Sequence, residues 1–134
     1  MSLLVHPLIV HFPIALWMTA AFFDLLYLAR RQEIFASMAR WMIGLGLAGA
    51  AVSIIAGWRD LRLQEFLGVG TALRQAHMAH QLLAYASTGL FAAAFVGRWR
   101  RRPLTPGWTI VLSLVGAALV AVTGYVGGEL RKVM

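Results

Sequence analysis

The chain has 134 residues, 60% hydrophobic and only 13% charged, with a mean hydropathy of +0.75. A soluble domain is about half apolar and about a quarter charged, so a chain this short cannot hide so much apolar surface from water, and lipid is the expected solvent. The lack of cysteine excludes disulfides, thiolate metal sites, iron–sulfur ligation and haem attached through Cys. The net charge is +7. No basic helix or interleaved aromatic platform lies outside the apolar segments, so nucleic acid is set aside as a partner and the arginines read as flanks of membrane helices.

The first span is expected over about 7–28. The apolar run begins at Leu3, with almost no charge before it, and reads as a retained span rather than a cleaved leader. It opens with HPLIVHFPIALW, which places His6, Pro7, His11 and Pro13 at the mouth of a greasy helix. Pro7 suits a first helical turn, and Pro13 can free a backbone carbonyl near His11. Asp24 reads as a helix-end charge that snorkels or pairs with Arg30 or Arg31. Residues 29–39 form a short basic connection. The second span, about 40–57, is rich in small residues, among them Gly44, Gly46 and Gly49. These permit close helix packing, or they leave room for a flat cofactor. Residues 58–75 form the longest polar connection, its latter part a short interfacial helix. The third span, about 76–96, opens with His77 and His80. A basic connection, RWRRRPLTPG, precedes the fourth, about 108–126. The expectation is an all-α, integral membrane four-helix bundle forming a single domain over 1–134.

An internal repeat runs through this order. Trp41 and Trp108, Gly49 and Gly116, and Gly57 and Gly124 are each 67 residues apart. LAGAAVSIIAGW matches LVGAALVAVTGY, and the first and third spans each open with a histidine pair. An even number of spans per repeat gives two parallel hairpins related by an axis along the membrane normal. The first and third connections hold Arg30, Arg31, Arg40, Arg98, Arg100, Arg101 and Arg102. The other end holds fewer cations, diluted by Asp60, Glu65 and Glu129. The positive-inside rule then puts the arginine-rich end in the cytoplasm of a bacterial inner membrane, with both termini and the histidines facing the periplasm or outside.

His6, His11, His77 and His80, with Asp60 and Glu129, are thus expected at one end. Each histidine alone has a plain reading, as an interfacial cap or a group bonded to a neighbouring carbonyl. Jointly they mark a site, because ionisable residues within spans are uncommon and neutral imidazole ligates haem iron, zinc and copper. Two arrangements compete. In one, His11 and His80 are axial ligands of a b-type haem, with His6 and His77 in support and arginines or Trp58 meeting the propionates. In the other, the histidines with Asp60 or Glu129 bind a zinc, copper or iron ion directly. A quinone-contacting site or a cofactor-free subunit of a larger complex is a third class. The compatible partners are the lipid bilayer, a quinone or redox partner protein, and a second copy in a homodimer. Ser53, Ser87 and Ser113 read as helix-packing hydroxyls, and there is no HExxH, phosphate loop or nucleophile elbow to support a hydrolase or NTPase.

With His6-Pro7, His11-Phe12-Pro13, Asp24 in FFDLL, Gly57 and Asp60 in AGWRDL, His80 ahead of Leu82-Leu83, and Gly127-Gly128-Glu129-Leu130, nearly the whole chain resembles the domain-of-unknown-function 2231 family of small bacterial membrane proteins. The resemblance implies a four-span bundle and a link to respiratory or redox proteins, with no settled activity. Members often carry Asn where this chain has Ala84, and often continue past GGEL with a tyrosine and another histidine, where this sequence reads RKVM. His77 is an addition. A ligand drawn from such a tail is not expected here.

Overall fold

In lipid a single segment can satisfy its own backbone only as a helix, and the apolar segments among the described residues obey that rule. The computed structural model describes residues 9–66, 71–100 and 105–133. It contains helices α1 (His11–Arg30), α2 (Glu33–Phe66), α3 (Thr71–Arg100) and α4 (Gly107–Val133), and no strand among the described residues. All four are long and apolar enough to cross a membrane. The protein is an all-α four-helix membrane bundle.

Two connections are shorter than the sequence suggested. α1 ends at Arg31, the only non-glycine residue with positive φ among those described (53°), whose N–H bonds the Tyr27 carbonyl at 2.8 Å. This left-handed cap turns the chain at once, and α2 starts two residues later, so most of the expected 29–39 connection is helix. At its other end α2 continues to Phe66. Residues 58–66 are polar, but they contain no Gly or Pro, and polarity alone does not end a helix at the water boundary.

α1 packs mainly on α2 and α3 mainly on α4, with lighter contacts of α1 on α4 and of α2 on α3. The molecule is therefore two hairpins side by side. Trp17 stacks on Phe91 with ring centroids 4.4 Å apart, and Asp24 binds Arg98. Both pairs are 74 residues apart, so α1 and α3 run parallel about a shared axis. The α1 positions facing it step by three and four: Val10, Pro13, Trp17, Ala20, Asp24. Their α3 counterparts are Ala84, Ser87, Phe91, Ala94 and Arg98. This alternation is the coiled-coil seam. Apart from Val10 and Ala84 at the histidine end, every member is buried. The 67-residue offset holds for the other two helices: Ile43 and Ile110, and Ala50 and Ala117, are buried equivalents.

Gly46 of the second span serves close packing. The Trp17 indole lies over Gly46 and donates from Nε1 to the Ile43 carbonyl at 3.3 Å. A side chain at Gly46 would collide with that ring.

Candidate functional site

Above the Trp17–Phe91 stack the axial residues shrink to Pro13 and Ser87, then Val10 and Ala84. Small side chains facing each other cannot fill the space between two hairpins, so a cavity of about 280 Å³ opens at the histidine end, partly enclosed. Its walls are mostly apolar, with Trp17 at the base and Ser53, Ser87, Thr88 and Thr123 as hydroxyl-bearing exceptions. Ser53, Ser87, Thr88 and Thr123 each donate to the carbonyl four residues back in their own helix, so these hydroxyls leave the helix ladder intact and present little polarity to the cavity.

Three of the four histidines border this cavity: His11 from α1 and His77 and His80 from α3. His6 lies outside the described residues. His80 is held against α4. Its Nδ1 is 3.2 Å from the Thr123 carbonyl of α4, and its ring rests on Gly127, where a Cβ would come within 2.9 Å of Cε1. A donor Nδ1–H toward that carbonyl leaves Nε2 as the basic nitrogen, the arrangement typical of a ligating histidine. Asp60 is buried and Glu129 exposed, and neither borders the cavity. Among the described residues no three His, Asp or Glu side chains group closely enough to hold a metal ion. Trp58 donates instead to the Tyr85 hydroxyl at 2.6 Å, tying α2 to α3.

The donor set bears on the kind of group that fits. A bare divalent ion in a mostly apolar cavity needs several donors and compensating charge, and the two carboxylates do not line the space. Haem iron needs only two neutral axial nitrogens, and its ring prefers apolar walls, so the lining fits haem better than a bare ion. The volume lies just below the usual range of small-molecule sites, about 300–1,000 Å³, and one side is partly open.

The opposite end holds a constellation that the sequence reading missed. Asp24 does not snorkel to Arg30 or Arg31. Its two carboxylate oxygens accept from Arg98 Nη1 and Nη2, each at 2.8 Å, in a bidentate pair whose partners are 0% and 1% exposed. Arg98 Nη2 also donates to the Thr109 carbonyl at 3.1 Å and to Ser113 Oγ at 3.2 Å, and the Ser113 hydroxyl donates to Asp24 Oδ2. Gly97 permits the approach of α4: a Cβ there would lie 2.7 Å from Thr109 Cγ2. One ion pair thus ties α1, α3 and α4 together. The 74-residue offset that sets Asp24 opposite Arg98 emerges only from the structure, since the aligned residues of the first and third spans differ in kind.

The fold and site define a class: a four-span membrane bundle of two pseudo-repeated hairpins, with an axial histidine-lined cavity at one end and a buried ion pair at the other. Residues 3–134 match the family described as "Predicted membrane protein (DUF2231)", and the chain belongs to it. No curated protein and no solved structure is found to match the chain.

Proposed function

We propose that the cavity holds a b-type haem and that the protein is a small membrane electron carrier. The observation that carries this reading is His80, whose Nδ1 sits at the Thr123 carbonyl and whose ring is backed by Gly127, beside an apolar cavity that His11 also borders. His80 is one axial ligand and His11 the other. His77 supports them from the adjoining turn of α3. His6, outside the described residues, is the alternative second ligand. The haem would supply one-electron redox chemistry. The chain's own contribution is to orient the His80 ring, keep water from the apolar walls, and close the base with Trp17. The arginine-rich end faces the cytoplasm, so the cavity opens toward the periplasmic side, where a quinone or redox protein exchanges the electron.

The modest cavity volume favours a second reading, a quinone head group hydrogen-bonded by the histidines. The spectrum of the detergent-purified protein, oxidised and then dithionite-reduced, separates the two. A Soret band with sharp reduced α and β bands, lost in His80→Ala and weakened in His11→Ala or His6→Ala, supports the haem. A blank spectrum from cells supplied with ample haem overturns it. Co-purified quinone would then support the second reading, and zinc, copper or iron without porphyrin would restore the bare-ion site.

A further inference from the structure

The two grooves between the hairpins are related by the same offsets, yet they carry different chemistry. In the groove between α2 and α3, Gly44 packs on the Phe95 ring, where a Cβ would lie 2.8 Å away. The helices are antiparallel, so Arg40, one turn before Gly44, is level with Trp99, one turn after Phe95. The Phe95 and Trp99 rings are 5.7 Å apart. Arg40 is half-buried and reaches Ser37 Oγ at 3.3 Å, while Trp41, Trp99 and Arg100 are exposed. In the groove between α4 and α1 the offsets of 67 and 74 put Gly107 in place of Arg40, Leu25 in place of Trp99 and Leu26 in place of Arg100. At these three positions one groove therefore presents two cations and an aromatic at the bilayer edge, and its counterpart presents a glycine and two leucines.

A general excess of arginine at one end explains orientation but not this difference between related grooves. Arg98 does not contribute, because Asp24 neutralises it. Deeper in the bilayer the exposed Leu45 of α2 and Val96 of α3 continue the groove as an apolar track. Phosphate between arginines, tryptophans at the interface and a hydrocarbon track below are the three features that an anionic phospholipid engages at once.

We propose that the α2–α3 groove at the arginine end is a binding site for one anionic phospholipid, with its phosphate group held by Arg40 and Arg100 and an acyl chain lying along Leu45 and Val96. The site is independent of whatever occupies the histidine cavity. Native mass spectrometry of the full chain, released from detergent containing equal amounts of phosphatidylglycerol and phosphatidylcholine, tests it. One phosphatidylglycerol should be retained in preference. Arg100→Gln, an exposed change that leaves packing intact, should lower its retention about fivefold, the factor corresponding to about 1 kcal/mol per arginine at a membrane surface. Arg40→Gln should do the same. Arg30→Gln, which removes equal charge from the same end outside the groove, should change it little. Equal retention of the two lipids, or an Arg100→Gln effect no larger than that of Arg30→Gln, overturns the proposal. Displacement of the lipid by millimolar inorganic phosphate would also overturn it, since a free anion would then suffice.

Discussion

The two ends of the bundle solve the same geometric problem in opposite ways. Both lie on one seam between parallel helices α1 and α3. At the arginine end the seam is filled by Asp24 and Arg98, two polar groups that satisfy each other and recruit Thr109 and Ser113 of α4. At the histidine end it is lined by small residues and left partly empty. The Trp17–Phe91 stack divides the two regimes. A repeat does not have to repeat its chemistry: the same scaffold supports a filled, ion-paired end and an open one, and only the open one leaves a cavity along the axis.

The comparison breaks most sharply at the ion pair. Asp24→Leu or Arg98→Leu alone should cost about 3–5 kcal/mol, because either change strands a charge that is fully buried. The double substitution should recover most of that loss, as measured by reversible unfolding in mixed micelles. A loss in the double equal to the sum of the two single losses would mean that the pair does not act as a unit. Next is the divider. Trp17→Ala should cost about 3 kcal/mol and extend the cavity toward the Ala20–Ala94 layer, which a larger apolar probe bound in the cavity would report. At the open end Gly127→Val should act on the ligand more than on the fold. The added side chain pushes the His80 ring from the Thr123 carbonyl, costing about 1–2 kcal/mol of stability, and, if the proposed haem is present, lowering haem per protein severalfold. The smallest effect is expected at Trp58→Phe. It removes one partly exposed hydrogen bond to Tyr85 and should cost no more than about 1 kcal/mol, with little change in the arginine end.

The helices were legible in the sequence because lipid makes apolar length nearly synonymous with helix. Their ends were less so. The residues after Trp58 are polar, and a composition argument reads them as a loop, whereas the backbone needs a breaker to leave the helix and finds none before Phe66. The repeat was visible in α2 and α4 through glycines and tryptophans. In α1 and α3 it was hidden, because the aligned residues differ in kind: Trp17 with Phe91, Pro13 with Ser87, Asp24 with Arg98. An aspartate and an arginine in register look like a mismatch until the axis runs between them. For the same reason Asp24 drew attention to nearby Arg30 and Arg31 rather than to a partner two connections away. The gathering of His11, His77 and His80 around one cavity followed from their shared end, but the distance of Asp60 and Glu129 from that cavity depended on rotation about each helix axis, which spacing along the chain does not fix.

The ion pair also has a history in time. Asp24 and Arg98 are separated by 74 residues, and a ribosome adding about 5–20 residues per second needs roughly 4–15 s to make that stretch. During that interval the first hairpin is already at the bilayer with its carboxylate unmatched. Asp24 is six residues from the end of α1, close enough to the headgroups for the young helix to ride high and keep the acid wet. An unmatched Asp24 would favour a shallower α1 until α3 brings its guanidinium.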